Sequence, residues 1–94
     1  MRSENFEEVE KKMGVVTPTI LREEGIITRK GILADAIVST NDTVPFSTIT
    51  TITSAYVCRK ETGVTVTNTI ATNVVTITQA TMTSVPCQVY VNGA

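Results

Sequence analysis

The chain has 94 residues, a formal net charge of −1, 41% hydrophobic residues and only 4% aromatic residues. This length corresponds to one domain with a modest core, which must be built from aliphatic side chains because aromatic residues are scarce and Trp is absent. The nearly neutral charge gives no electrostatic reason to expect binding to nucleic acid or to an anionic membrane.

The N-terminal segment MRSENFEEVEKKMG predicts a short charged helix over Asn5–Met13. Its apolar residues share one helical stripe: Phe6, Val9 and Met13. A helix of about ten residues is marginal alone in water. We therefore expect the stripe to dock on the rest of the chain or on a neighbouring molecule, or else to fray. The predicted organisation is an N-terminal helical arm, residues 1–14, and a single β domain, residues 15–94.

The first part of the β domain predicts a hairpin. Gly25–Thr28 and Ile32–Ser39 are the predicted strands, and Arg29–Gly31 is the turn between them. Gly31 suits the left-handed position of a three-residue hairpin turn. Asp35 faces the opposite side of its strand from the neighbouring alanines. We interpret it as a solvent-facing residue, with a functional carboxylate as the alternative.

The second half of the chain predicts a β-meander that follows a loop rich in Asn, Asp, Pro and Ser. A break in the isoleucine spacing of the first strand indicates a bulge, and Asn73 is predicted as the left-handed residue of a turn. The predicted strands are Thr48–Cys58, Val64–Ile70, Val74–Gln79 and Cys87–Asn92.

Threonine alternates with valine or isoleucine through much of this region, as in TVTNTIATNVVTITQATMT. Both residue types are β-branched and favour an extended backbone. The alternation gives each strand one aliphatic face and one threonine face, and from Thr62 onward there is no charged side chain. Such a neutral face suits contact with solvent or with another protein surface. The sequence predicts a mainly β fold, a small antiparallel β-sandwich or barrel with a short N-terminal arm.

The two cysteines, Cys58 and Cys87, are interpreted as small buried residues in strands. A disulfide between them is the alternative, and it requires their strands to be neighbours with Cα atoms within about 7 Å.

The residues that most often carry out catalysis are missing or poorly placed. The chain has no His, so a Ser–His or Cys–His pair is excluded, and no nucleotide-binding or zinc-protease motif is present. Adjacent Glu23 and Glu24 are the remaining acid–base candidates. Arg59 and Lys60, in a predicted turn, are candidates for contact with an anionic partner. We predict no enzymatic activity, no cofactor, no metal and no small-molecule substrate.

The N-terminus lacks the apolar stretch of a secretory signal, so we expect synthesis in the cytoplasm and incorporation into a particle. In its charged N-terminal arm and its Thr/Val-rich β domain, the chain resembles the small decoration or cement proteins of tailed-phage virions. This resemblance of type implies a structural protein that binds neighbouring subunits, including its own copies, through Phe6, Val9 and Met13 and the threonine faces.

The alternative hypothesis is a free-standing Ig-like binding module. Its recognition loops would be STNDTVPFS, residues 39–47, and the turn that follows Cys58.

Overall fold

The computed structural model describes residues 14–26 and 28–94 of the chain. The predicted helix over Asn5–Met13 lies outside the described residues. The strands are β1 Thr19–Ile26, β2 Arg29–Val38, β3 Thr43–Pro45, β4 Ile52–Arg59, β5 Asn68–Ala71, β6 Val74–Ile77 and β7 Val85–Gly93. The part of the chain that the structure describes contains no helix long and apolar enough to cross a membrane.

The strands form two antiparallel sheets that pack together as a small β-sandwich, which confirms the predicted fold class. The four-stranded sheet has the order β1-β2-β7-β4, and the three-stranded sheet has the order β3-β6-β5. Below, the inner side of either sheet is the side that faces the other sheet, and the outer side is the side that faces away.

The core lies between the sheets and is almost entirely aliphatic. Alternate residues of β2 and β7 point inward, so Val38, Val89 and Val91 are fully buried. Val75 and Ile77 of β6 are also fully buried, as their sequence pattern predicts. Phe46, directly after β3, is the largest fully buried side chain. It fills space that the small aliphatic residues leave between the sheets.

The predicted first hairpin is wrong in its boundaries. β1 begins at Thr19, six positions before the predicted strand, and its pairing with β2 closes at Ile26 opposite Arg29. Arg29–Gly31 therefore lies inside β2 and not in a turn. Gly25, which lies within β1, has a positive φ of +111°, and a Cβ atom there would collide with the carbonyl of Arg29.

Two further predictions differ from the structure. The predicted strand Val64–Ile70 is reduced to β5, and before it Val64 is exposed while Val66 is buried. In the turn after β5, Thr72 adopts the positive φ of 56° that was assigned to Asn73. The Asn73 side chain has another use, because its Nδ2 donates a hydrogen bond of 3.0 Å to the Phe46 carbonyl.

The predicted bulge in the first meander strand is present near its predicted place. The pairing of β4 with β7 shifts register between Ile52 and Ser54. The predicted loop, residues 39–47, contains the short strand β3, whose Val44 is fully buried.

Candidate interaction surfaces

The outer side of the three-stranded sheet is a flat, neutral surface. Cross-strand pairing places Thr43, Thr76 and Thr69 in one row, and a second row runs beside it. We call this surface the threonine face; its residues are Thr43, Pro45, Thr69, Ala71, Val74 and Thr76. None of these residues carries a charge. The predicted alternation accounts for Thr69 and Thr76 in this surface, because Val75 occupies an inward position. Thr43 and Pro45 belong to β3, which lies in the segment predicted as a loop.

The edge strand β1 is a second uncovered surface. All eight of its residues are exposed, and among the strands of the described residues it pairs with β2 alone. The three-stranded sheet therefore does not cover its inner side. Three large apolar side chains of β1 are exposed by roughly half: Ile20 by 43%, Leu21 by 49% and Ile26 by 67%. We call this strand the projecting edge.

Sequence reasoning missed the projecting edge because charged residues interrupt its apolar pattern. The signal that could have identified it is the pair Ile20–Leu21 before the charges and Ile26 after them. A bulge at Leu21, where the register shifts between Ile20 and Arg22, breaks the strict alternation that a strand pattern requires.

The charges of the projecting edge are divided between its two sides. Arg22 and Glu24 lie opposite Leu33 and Gly31 on the outer side, and Arg22 Nη1 is 3.4 Å from Glu24 Oε2. Glu23 lies on the inner side and accepts a hydrogen bond of 3.3 Å from Thr48 Oγ1. Glu23 and Glu24 thus point to opposite sides of the strand. They do not converge as an acid–base pair would.

The outer side of the four-stranded sheet carries an aromatic row. Tyr90 lies opposite Leu33 on one flank and Tyr56 on the other, and both tyrosines are about half exposed. Gly31 makes room for the Tyr90 ring, since a Cβ atom at this position would lie 2.9 Å from the tyrosine hydroxyl. An open cleft of about 500 Å³, which Asn92 also lines, adjoins this row.

Of the predicted cationic pair, Lys60 forms an ion pair within the described residues. Lys60 Nζ lies 2.9 Å from Asp35 Oδ2, which ties the turn after β4 to β2 across the outer side of the sheet. Arg59 ends β4 opposite Cys87 and is half-buried. Asp35 is half-buried and paired with Lys60 through Oδ2. Its other oxygen, Oδ1, is buried without a hydrogen-bond partner among the described residues. Contact of Arg59 and Lys60 with an anionic partner stays a prediction.

Polar side chains of the loop after β2 are used within the fold. Asp42 Oδ2 accepts a hydrogen bond of 2.8 Å from the Ser39 backbone N–H. Thr40 Oγ1 donates to the Gln79 carbonyl at 2.7 Å and accepts from the Met82 N–H at 2.9 Å. These bonds hold the loop against the segment that precedes β7. They leave fewer polar groups for an external ligand.

Both cysteines are free thiols, and no disulfide links them. Their strands are neighbours, as a disulfide would require, but Cys58 lies opposite Gln88 while Cys87 lies opposite Arg59, one position along. Successive strand residues alternate in direction, so Cys87 is buried in the core and Cys58 lies on the outer side. Burial raises the pKa of the Cys87 thiol, and the nearby Arg59 charge opposes this shift.

Three candidates for partner binding, Phe6, Val9 and Met13, lie outside the described residues. Within residues 14–26 and 28–94, no group of three or more His, Cys, Asp or Glu side chains could hold a metal ion. No protein-family model, curated protein or solved structure matches the chain. The described residues form a small antiparallel β-sandwich whose candidate interaction surfaces are the threonine face and the projecting edge.

Proposed function

We propose that this chain is a non-enzymatic structural subunit of a multi-subunit particle, of the type that decorates or cements virions. It binds neighbouring subunits, including its own copies, through the threonine face and the N-terminal arm. The observation that carries the proposal is the threonine face, a complete outer sheet surface without any charged side chain. Charged residues are depleted from the centres of protein interfaces.

Threonine suits such a contact surface for physical reasons. Its β-branched side chain is stiff, so little rotamer entropy is lost when a neighbour covers it. Its methyl group contributes apolar area, and its hydroxyl can donate or accept a hydrogen bond across the contact. Thr76 and Thr69 present these groups side by side on the sheet surface. In the same row, Thr43 presents its methyl group, because its hydroxyl donates a hydrogen bond to the Gly14 carbonyl.

The alternative, an Ig-like binding module, has weaker support. Its first proposed recognition loop uses Asp42 and Thr40 to hold the fold together, and Phe46 lies in the core. In its second loop, Lys60 is paired with Asp35. A ligand would have to compete with these contacts or bind beside them.

The test places charges on the threonine face. Thr69 and Ala71 are exposed on β5, so the double variant Thr69→Lys/Ala71→Lys should fold and carry two charges at the contact. The matched control, Ser47→Lys/Thr50→Lys, adds the same charges at exposed positions outside the face. We expect sedimentation velocity to show assembled species in the wild type and the control, and their loss in the face variant. Equal assembly of all three proteins would contradict the proposal.

The role of the arm is tested separately. Phe6→Glu/Val9→Glu removes two apolar groups of the predicted stripe without shortening the chain. We expect the variant to keep the far-UV circular dichroism of a β protein and to lose assembly. Normal assembly of this variant would remove the arm from the proposal and leave the threonine face in it.

A further inference from the structure

We infer that the projecting edge is a self-association site, at which β1 pairs antiparallel with β1 of a second copy about a two-fold axis at Glu23. This inference rests on the proposed function, for which it names one partner and one contact. The starting observation is that, within residues 14–26 and 28–94, β1 has a sheet neighbour on one side only, while all its residues are exposed. A long exposed edge is a template for pairing with another strand.

Charges on an edge strand usually prevent unselective pairing. In β1 they have both signs, and their order matters: Arg22, Glu23 and Glu24 are consecutive. A neutral foreign strand would offer these charges no cross-strand partner beyond the Arg22–Glu24 pair within β1. A second copy of β1 can match Arg22 and Glu24, because both lie on the outer side of the strand.

Two-fold antiparallel pairing requires one residue to lie opposite its own copy. With Glu23 at the axis, Arg22 lies opposite Glu24 of the other copy, and this attractive pair occurs twice. With Arg22 or Glu24 at the axis, that residue faces a like charge and the two attractive pairs are lost. Opposite charges across a strand pair stabilise it, and like charges destabilise it. The register centred on Glu23 is therefore the one that the charges favour.

This register also has a cost that can be measured. The two Glu23 carboxylates meet on the inner side, where each has the Thr48 hydroxyl as its described hydrogen-bond donor. The pairing covers Ile20, Leu21 and Ile26 in part, which removes exposed apolar area. Eight residues form a small interface in comparison with the standard of about 1,600 Å². We expect a weak dimer whose population increases with protein concentration.

Charge variants test the pairing by sedimentation equilibrium. Arg22→Glu replaces both attractive pairs with repulsive ones and should raise the dimer dissociation constant about tenfold or more. The charge swap Arg22→Glu/Glu24→Arg restores two opposite-charge pairs and should return the constant to near its wild-type value. Glu23→Gln removes the repulsion at the axis and should strengthen the dimer. If the charge-swap variant dimerises as weakly as Arg22→Glu alone, the inference is overturned.

Single cysteines test the register directly. Residues opposite each other in an antiparallel pair have Cα atoms about 4.5–5.5 Å apart, within the range of a disulfide. Glu23→Cys should therefore form a disulfide-linked dimer under mild oxidation. Glu24→Cys is the matched control. In the same register, residue 24 faces residue 22 of the second copy, so the two residue-24 Cα atoms are about 8 Å apart. Both variants carry Cys58→Ser, and the remaining Cys87 is buried.

The outcomes separate this inference from the proposed function. A Glu23→Cys cross-link that persists in the Thr69→Lys/Ala71→Lys background supports self-pairing even if the threonine face has no role. Equal cross-linking at both positions means another register or random collision and overturns the inference. No cross-link at either position, with assembly still sensitive to the threonine-face charges, overturns the inference and leaves the proposed function standing. If Arg22→Glu leaves the dimer dissociation constant at its wild-type value, something other than a second β1 occupies the edge. That result also overturns the inference.

Discussion

Replacing Phe46 by alanine should destabilise this domain more than any single substitution on its surface. Phe46 is 1% exposed and is the largest fully buried side chain. Its backbone is held at both ends, since its N–H donates to the Asn73 carbonyl at 3.0 Å and its own carbonyl accepts from Asn73 Nδ2. The neighbouring residues therefore cannot easily move to fill the space that the ring leaves.

The size of the effect follows from the buried area. A buried aromatic side chain removes about 150–250 Å² from water, which at about 25 cal/mol per Å² corresponds to about 4–6 kcal/mol. Measured Phe→Ala substitutions in cores cost about 3–5 kcal/mol. A chain of this length has a free energy of unfolding of about 5–14 kcal/mol. We therefore expect the variant to lose a large part of its stability.

Urea denaturation monitored by circular dichroism measures this loss. Phe46→Leu keeps much of the volume and should cost about 1–2 kcal/mol. The adjacent Ser47 is exposed, so Ser47→Ala should change the free energy of unfolding by less than about 0.5 kcal/mol. A loss below about 1 kcal/mol for Phe46→Ala would mean that the ring does not fill the core, and the packing described above would be wrong.

Three further predictions concern other parts of the sandwich. Gly93→Ala would push a Cβ atom into the Thr51 carbonyl and should cost about 1–3 kcal/mol by urea denaturation, whereas Gly31→Ala, whose Cβ atom meets only the side-chain ends of Tyr90 and Asn92, should cost less than about 1 kcal/mol; equal costs would contradict this difference. Asn73→Ala leaves the Phe46 carbonyl without its side-chain donor and should lower the free energy of unfolding by about 1–2 kcal/mol, and no change would show that this bond is replaced by water. Burial raises the folded-state pKa of Cys87, so the stability that the protonated thiol contributes is complete below the unfolded-state pKa and is lost as the pH rises through the folded-state pKa. At alkaline pH the urea midpoint should therefore fall less steeply with pH in Cys87→Ala than in the wild type. Equal dependence of the two midpoints on pH would contradict the raised pKa of Cys87.

The sheet interior was predictable from the sequence because it depends on local alternation. The inward positions of β7, such as Val89 and Val91, follow directly from a period of two. The same alternation predicted the inward residues of β6 and the outward positions of Thr69 and Thr76. The predicted antiparallel sandwich follows from several short strands with polar turns between them.

The projecting edge and the turn positions were not predictable in this way. β1 has no buried side, so no burial constraint imposes a pattern on Ile20, Leu21 and the charges that follow. At the turn after β5, Ala71 pairs with Val74, so Thr72 and Asn73 form a two-residue loop in which the first residue takes the positive φ. The alternative of a disulfide is wrong because Cys58 and Cys87 are offset by one position in the pairing of β4 with β7. That offset depends on how two strands far apart in the sequence pair, which local patterns do not determine.

The measurement that tests the proposed role most directly is the mass of the full chain in solution, by light scattering on a sizing column across a range of concentrations. A structural subunit that binds its own copies should show a mass that rises with concentration from the monomer value of 10.1 kDa to at least twice that value. A constant mass of 10.1 kDa at every concentration would contradict self-assembly through the threonine face and through the projecting edge.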